Sequence, residues 1–189
     1  MRIIAGQAKG RRLQSRAGRH TRPTSGRVRQ VLFDLLSPRI EGSRFLDLFA
    51  GSGAVGLEAL SRGAAQVTLV ESDRSALEHL RANLTALEQQ SPGQGRVVRA
   101  PALRAIGIAA RRGEGYTIVF LDPPYGQPEA LLRALERLGQ GDGVVARQGL
   151  VVAQHQAKVT LPEQAGDLRA VQARKLGDTV LRFYMREDG

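Results

Sequence analysis

Tyr116-Thr-Ile-Val-Phe-Leu-Asp-Pro-Pro-Tyr125 is the stretch whose reading decides the fold. Its first six residues form a short apolar run rich in β-branched and aromatic side chains, which predicts a buried parallel strand. The chain then leaves the carboxyl end of that strand and at once sets down a carboxylate, two prolines and an aromatic ring. In open α/β sheets ligands bind at that edge. Each proline fixes φ and lacks an N–H, so the turn is stiff and its carbonyls have little choice of direction. Asp122 and the Pro123 carbonyl are placed to accept hydrogen bonds from one exocyclic amino group. Pro124 stiffens the turn, and the Tyr125 ring is suited to stack on the attached base. A plain polar turn would draw on the same residue types, so the rest of the chain has to decide.

Strands and helices alternate around this one. Working back, Arg44 to Phe49 and Gln66 to Glu71 are predicted strands, as is Arg96 to Ala100. Helices are expected from the glycine turn to about Arg62, from Asp73 to about Glu88 and over 102–111. Working forward, a helix is expected over 129–138 and a strand over 149–154. An antiparallel pair, 168–174 and 179–186, joins at Leu176-Gly-Asp178. Upstream, residues 2–5 suggest a short strand, 7–15 a basic hairpin or loop, and 26–36 a helix capped by Thr24 or Ser25. Val28, Val31, Leu32, Leu35 and Leu36 give that helix an apolar stripe. The pattern predicts an α/β fold, a doubly wound, mostly parallel sheet with an antiparallel C-terminal hairpin. It divides the chain into a small N-terminal basic extension, 1–44, and a catalytic domain, 45–189.

Composition narrows the chemistry. The 189 residues contain no cysteine, which excludes disulfides, a thiolate nucleophile and cysteine-ligated metal. His20, His79 and His155 are scattered singly, so no metal is expected. No apolar run approaches a membrane span and the start has no signal-like segment, so a cytoplasmic protein is expected, as a monomer. The net charge of +10 is lopsided. Residues 1–44 hold eleven Lys and Arg against two acids, a net +9, while 45–189 hold seventeen against sixteen. Ten of the eleven are arginine, which suits bidentate phosphate contact, so a polyanionic partner is expected.

Asp47-Leu-Phe-Ala-Gly-Ser-Gly53 is the second informative stretch. Gly51 and Gly53 let a turn approach a ligand closely, and the helix behind it offers free N–H groups. Gly51-x-Gly53-x-x-Gly56 fits the dinucleotide pattern, and Glu71 ends the next strand twenty residues on, where a carboxylate reaches ribose hydroxyls. Asp47, however, would repel a pyrophosphate and would suit an ammonium. No second domain is present for a hydride acceptor. S-adenosylmethionine therefore fits better than NAD.

With both motifs placed, the chain resembles the RsmD family of bacterial 16S rRNA guanine-N2 methyltransferases. The resemblance rests on Arg2-Ile-Ile-Ala-Gly6, Lys9-Gly-Arg-Arg12, Thr21-Arg-Pro-Thr-Ser25, Asp47 to Ala54, Gly56 to Ala64, Asp122-Pro-Pro-Tyr125 and Gly177-Asp-Thr179. It implies a class I, Rossmann-like fold, S-adenosylmethionine as donor, and as substrate the N2 of guanine 966 in 16S rRNA, free or in a small-subunit particle. Residues expected at the cofactor are Asp47, Phe49, Ala50, Gly51, Ser52, Gly53, Glu71, Ser72, Pro101, Ala102 and Asp122. Those expected at RNA are Lys9, Arg11, Arg12, Arg22, Thr24 and Arg27. Asp122, Pro123, Pro124 and Tyr125 are expected to do the chemistry. The chain departs from the family at Pro101, where an aspartate usually contacts adenine, and at Gly26, Gln30 and Gln154, which replace acidic residues. Rivals are a methyltransferase for another planar amine (DNA adenine or protein glutamine), a non-catalytic RNA-binding protein and an NAD-dependent oxidoreductase.

Overall fold

A computed structural model describes residues 1–14, 25–88, 91, 93–124 and 126–187. Thirteen named elements follow one another: α1 (Gly26–Ile40), β1 (Arg44–Asp47), α2 (Ala54–Ser61), β2 (Gln66–Glu71), α3 (Arg74–Glu88), β3 (Gln94–Arg99), α4 (Ala102–Arg111), β4 (Tyr116–Leu121), α5 (Pro128–Leu138), β5 (Val145–Gln156), β6 (Gln164–Ala165), β7 (Leu168–Leu176) and β8 (Thr179–Arg186). The strands make one sheet in the order β3-β2-β1-β4-β5-β8-β7-β6. The first five are parallel, and β8, β7 and β6 run antiparallel. This is the doubly wound sheet with an antiparallel edge expected from the alternation of patterns.

Side-chain alternation along the strands builds two cores. Phe45, Ile118, Phe120 and Val152 pack with α1, α2 and α3. Leu46, Val119, Leu121 and Val151 face the other way, onto α4 and α5. A central strand buried on both faces reads as a continuous apolar run, and β4 does so. The chain moves outward from β1 to β3 and then returns to place β4 against β1. The order reverses between those two strands, so their carboxyl ends, Asp47 and Asp122, flank the switch point.

Several details depart from the sequence expectation. Residues 2–5 are not a strand; Arg2 makes a single antiparallel bridge to Arg12, closing a hairpin-like loop. Helix α1 runs four residues beyond 36 and passes through Pro38. That proline cannot donate to the Asp34 carbonyl, and the Ser37 hydroxyl donates to it instead at 2.9 Å. Strand β5 starts at Val145 rather than 149, with a register shift against β4 and a positive φ of 53° at Gln148. β6, only two residues long, carries no periodicity for sequence reasoning to find.

The N-terminal segment is fastened to the body. Glu58, fully buried on α2, accepts the N–H groups of Ile4 (2.8 Å) and Ala5 (2.9 Å) and the Arg62 Nε (2.8 Å). Arg29 of α1, 2% exposed, lies against the same carboxylate at 3.7 Å. Ile3, Ala8 and Leu13 join the core under α1 and α2.

Candidate active site

The turn after β1 brings Asp47 and the glycines to the carboxyl edge. Gly53 has φ 86° and caps α2; a Cβ there would stand 2.5 Å from Leu80, so only glycine allows α3 to pack this closely. A Cβ at Gly56 would meet Leu69 at 2.4 Å, which reserves that glycine for the packing of α2 on the sheet. Gly51 has φ 54° and open space around it, so its side of the turn is free to meet a ligand. The Ala50 N–H is held by the Val70 carbonyl at 2.9 Å, and the Gly53 N–H turns back to the Ala50 carbonyl at 2.7 Å. Phe49 is half-buried beside them.

Asp47 is 1% exposed. Its Oδ2 accepts the Gly56 N–H at 3.1 Å, while its Oδ1 has no partner among the described residues. Burial pushes its pKa up to about 7, opposed by the Gly56 and Phe49 N–H groups, which face the carboxylate, and aided by the charges of Asp122 and Glu71. A buried carboxylate oxygen without a donor is costly unless something cationic comes to it. Glu71 organises the other rim. Its Oε2 accepts the Gly51 N–H (2.8 Å), and its Oε1 accepts those of Ser72 (2.7 Å) and Asp73 (2.8 Å). A carboxylate offers about four acceptor positions, so Glu71 keeps about one for a hydroxyl. Pro101 is the N-cap of α4 and is exposed, followed by half-buried Ala102 at the carboxyl end of β3. The expected cofactor residues of β1, β2 and β3 thus share one edge. An unpaired buried carboxylate oxygen, an open glycine turn and a part-occupied glutamate fit a cationic, ribose-bearing ligand.

Asp122 stands one residue past β4, where the sequence placed it. Gln154, 7% exposed on β5, donates its Nε2 to the Asp122 Oδ2 at 3.0 Å. This contact was missed by sequence reasoning, although the parallel register that pairs Leu121 with Ala153 would have located it. The bond fixes which end of the amide is nitrogen and leaves the Gln154 Oε1 buried without a partner among the described residues. Asp122, Pro123 and Pro124 border a cleft of about 310 Å³ that Gln154, His155, Lys158 and Thr179 also line. The glycine turn and Glu71 are not among the described residues lining it, so the cleft touches the expected cofactor edge at Asp122. His155 has its pKa lowered by burial, with Arg182 nearby adding to the effect. Tyr125, the fourth residue of the motif, lies outside the described residues.

Arg22 and Thr24 lie outside the described residues. Lys9, Arg12 and Arg27 are exposed and Arg11 is half-buried. The Ala8 N–H meets the Ser61 hydroxyl at 3.0 Å, so the backbone at Lys9 sits at the far end of α2 from the glycine turn. That helix has eight residues, a rise of about 12 Å. The chain returns to the carboxyl edge at Gln14. Asn83 of α3, buried, receives the Gln14 N–H and donates to the Gln14 and Ser52 carbonyls, each at 2.8–2.9 Å. Among the described residues no cluster of His, Cys, Asp and Glu could hold a metal, and no helix is long and apolar enough to cross a membrane.

Comparison with known proteins identifies the family. The family described as "Conserved hypothetical protein 95" matches residues 1–185. Ribosomal RNA small subunit methyltransferase D of Escherichia coli is 38% identical over 99% of this chain and 90% of its own. The chain belongs to the RsmD family. Its relative YlbH of Bacillus subtilis, named provisionally as an rRNA methyltransferase, is 41% identical over 98% of this chain and 99% of its own. The solved structure of yhhF from Escherichia coli, named provisionally as a methyltransferase, superposes with a TM-score of 0.84 at 35% identity. It covers 99% of this chain and 98% of that one. The strand order with its antiparallel β8 is the class I methyltransferase fold.

Proposed function

We propose that this RsmD-family protein transfers a methyl group from S-adenosylmethionine to the exocyclic N2 of a guanine in 16S rRNA. The observation that carries the reading is Asp122. It is held by Gln154 at the carboxyl end of β4, facing a base-sized cleft, across the switch point from the unpaired Asp47 oxygen. Relatives named as small-subunit rRNA methyltransferases over nearly the whole chain supply the substrate class. Asp47 would meet the ammonium of the donor's tail and Glu71 a ribose hydroxyl. Pro101 and Ala102 would border the adenine. When bound, the donor supplies an electrophilic methyl group.

The guanine amine is a poor nucleophile because its lone pair is delocalised into the ring. Asp122 and the Pro123 carbonyl accept its two N–H bonds and so favour a tetrahedral nitrogen whose lone pair points away from them. Gln154 restrains the carboxylate from rotating out of that line. The work is orientation and electrostatic complementarity rather than covalent catalysis. Tyr125 is assigned to stacking on the base, which must be unpaired or flipped to expose its amine. Tritiated-methyl transfer to rRNA and 30S particles from cells lacking this protein tests the assignment. The modified nucleoside should be N2-methylguanosine. Label in adenosine, or in protein, would refute it.

A further inference from the structure

We propose that the turn end of the β7–β8 hairpin, with the neighbouring Lys158, is a second RNA-contacting surface on the opposite lip of the cleft from the Asp122 turn. The inference rests on the proposed rRNA methyltransferase activity and adds a surface to it. The hairpin's cations fall into two sets. Arg169 pairs with Glu187 at 3.3 Å, Arg182 with Glu163 at 2.6 Å and Arg186 with Asp167 at 3.9 Å. The side chains of Arg174 and Lys175 are exposed and have no ion-pair or hydrogen-bond partner among the described residues, and the same is true of the Lys158 side chain.

Their placement follows from register. Leu176 pairs with Thr179, and the β8 residue Thr179 pairs with Gln156 at the carboxyl end of β5. The hairpin turn therefore lies at the edge that carries Asp122, held there by the Ala157 N–H on the Asp178 carbonyl at 2.8 Å. Gly177, with φ 62°, makes the two-residue turn possible. Lys158 and Thr179 both line the cleft. Asp178 is the acid in this turn, leaving three cations against one acid, a net +2, beside the cleft mouth. The paired cations belong to the middle and the far end of the hairpin. Unneutralised cations collected at one edge cost self-repulsion, which a phosphate backbone would relieve. Lys9, by contrast, sits a helix length from the glycine turn, so that expected contact does not flank the mouth. An RNA strand lying across the cleft would meet Lys158, Arg174 and Lys175 on its far side.

The experiment is binding of a 16S rRNA transcript across a salt series, by the wild type and by Lys158→Ala/Arg174→Ala/Lys175→Ala. With two or three of these side chains on phosphates, their removal should flatten the slope of log affinity against log salt by about 1.4–2.7. S-adenosylmethionine affinity and melting temperature should not change, because all three side chains are exposed. A control, Arg111→Ala/Arg147→Ala, removes two exposed cations from the opposite edge of the sheet and should leave the slope within about 0.5 of wild type. Lys175→Glu is a single-site check should the triple variant melt early, and should weaken binding more at low salt than at high. A triple variant with a wild-type slope, alongside a wild type that methylates guanine, overturns this surface and leaves the activity standing. A wild type that neither binds nor methylates the rRNA overturns both.

Discussion

Asp47, placed at the donor's ammonium, would make the affinity for S-adenosylmethionine a function of pH. In the ligand-free protein burial holds its pKa at about 7, so near neutrality it is ionised only about half the time. An ammonium brought to its unpaired Oδ1 would stabilise the charged form, and binding would then expel a proton below neutrality. By linkage the apparent dissociation constant scales as one plus ten raised to the difference between pKa and pH. Between pH 7.5 and pH 6.0 that factor grows from about 1.3 to about 11, an affinity loss of about eight-fold. Isothermal titration in buffers of different ionisation enthalpy would measure both the affinity and the proton released. Asp47→Asn keeps the acceptor for the Gly56 N–H but cannot ionise, so its affinity should be flat over this window and weaker by about 1.5–3 kcal/mol. 5′-Methylthioadenosine, which lacks the amino-acid tail, should bind the wild type with no such slope. Asp122→Asn should move the midpoint down, because the Asp122 charge is one of the causes of the raised pKa. A wild-type affinity that changes less than two-fold over the window, or an equal slope in Asp47→Asn, would refute the assignment.

Ligand-free stability should respond to the same group. The folded pKa lies above the unfolded one, so stability falls as pH rises from about 4 to about 7 and is flat beyond it. Asp47→Asn should remove this slope and stabilise the ligand-free protein at pH 8 by about 1–4 kcal/mol, measured by urea titration at several pH values. Glu58→Ala strands two backbone N–H groups and buried Arg29, and should cost about 3–5 kcal/mol. Calorimetry should then show a melting temperature lower by about 6–20 °C, and a loss under 1 kcal/mol would contradict the role given to that carboxylate. Asp122→Ala should cut methyl transfer by about two to four orders of magnitude with little change in donor affinity. Gln154→Glu replaces a permanent N–H donor by a carboxyl group that must be protonated to hold Asp122. Its activity should fall toward alkaline pH while the wild type's does not, and matching pH profiles would remove Gln154 from the site.

Much of this was legible in the sequence where local physics and long-range structure agree. β2, α4 and β4 fall on the residues predicted for them, because β-branched runs and helical apolar spacing carry their own boundaries. The edge that gathers Asp47, Glu71 and Asp122 was legible for the same reason: Asp47 lies near the end of a recognisable strand, Glu71 ends one and Asp122 follows one. What stayed hidden depends on pairing across the fold. Glu58 sits in the helical pattern as an ordinary surface glutamate, and nothing nearby reveals that Ile4 and Ala5 will cover it. Gln154 was noticed as a departure from the family, but its grip on Asp122 needs the β4–β5 register. Arg29 counted toward the basic excess, whereas it is buried against Glu58. A charge tally along the chain does not separate cations that neutralise buried acids from cations offered to a partner.

That distinction bears on how the N-terminal segment and the catalytic body divide their labour. A basic extension and a nearly neutral body suggest two separable parts, one for RNA and one for the cofactor. The bonds argue for a joint. Asn83 holds Gln14, the last described residue before the basic stretch at 15–24, and with the same amide holds the Ser52 carbonyl inside the glycine turn. Gly53, next in that turn, is wedged against Leu80 one helical turn earlier on α3. A force that displaces Gln14 therefore acts on the backbone expected to contact the cofactor through one buried side chain, without a flexible linker between them. At the other end of the segment, Glu58 ties Ile4 and Ala5 to α2, the helix that the glycine turn opens. Deleting the extension would uncover Glu58 and Asn83 together and loosen the cofactor turn along with the RNA contacts. Substitution of exposed cations is thus the perturbation that separates the two activities, and truncation is not.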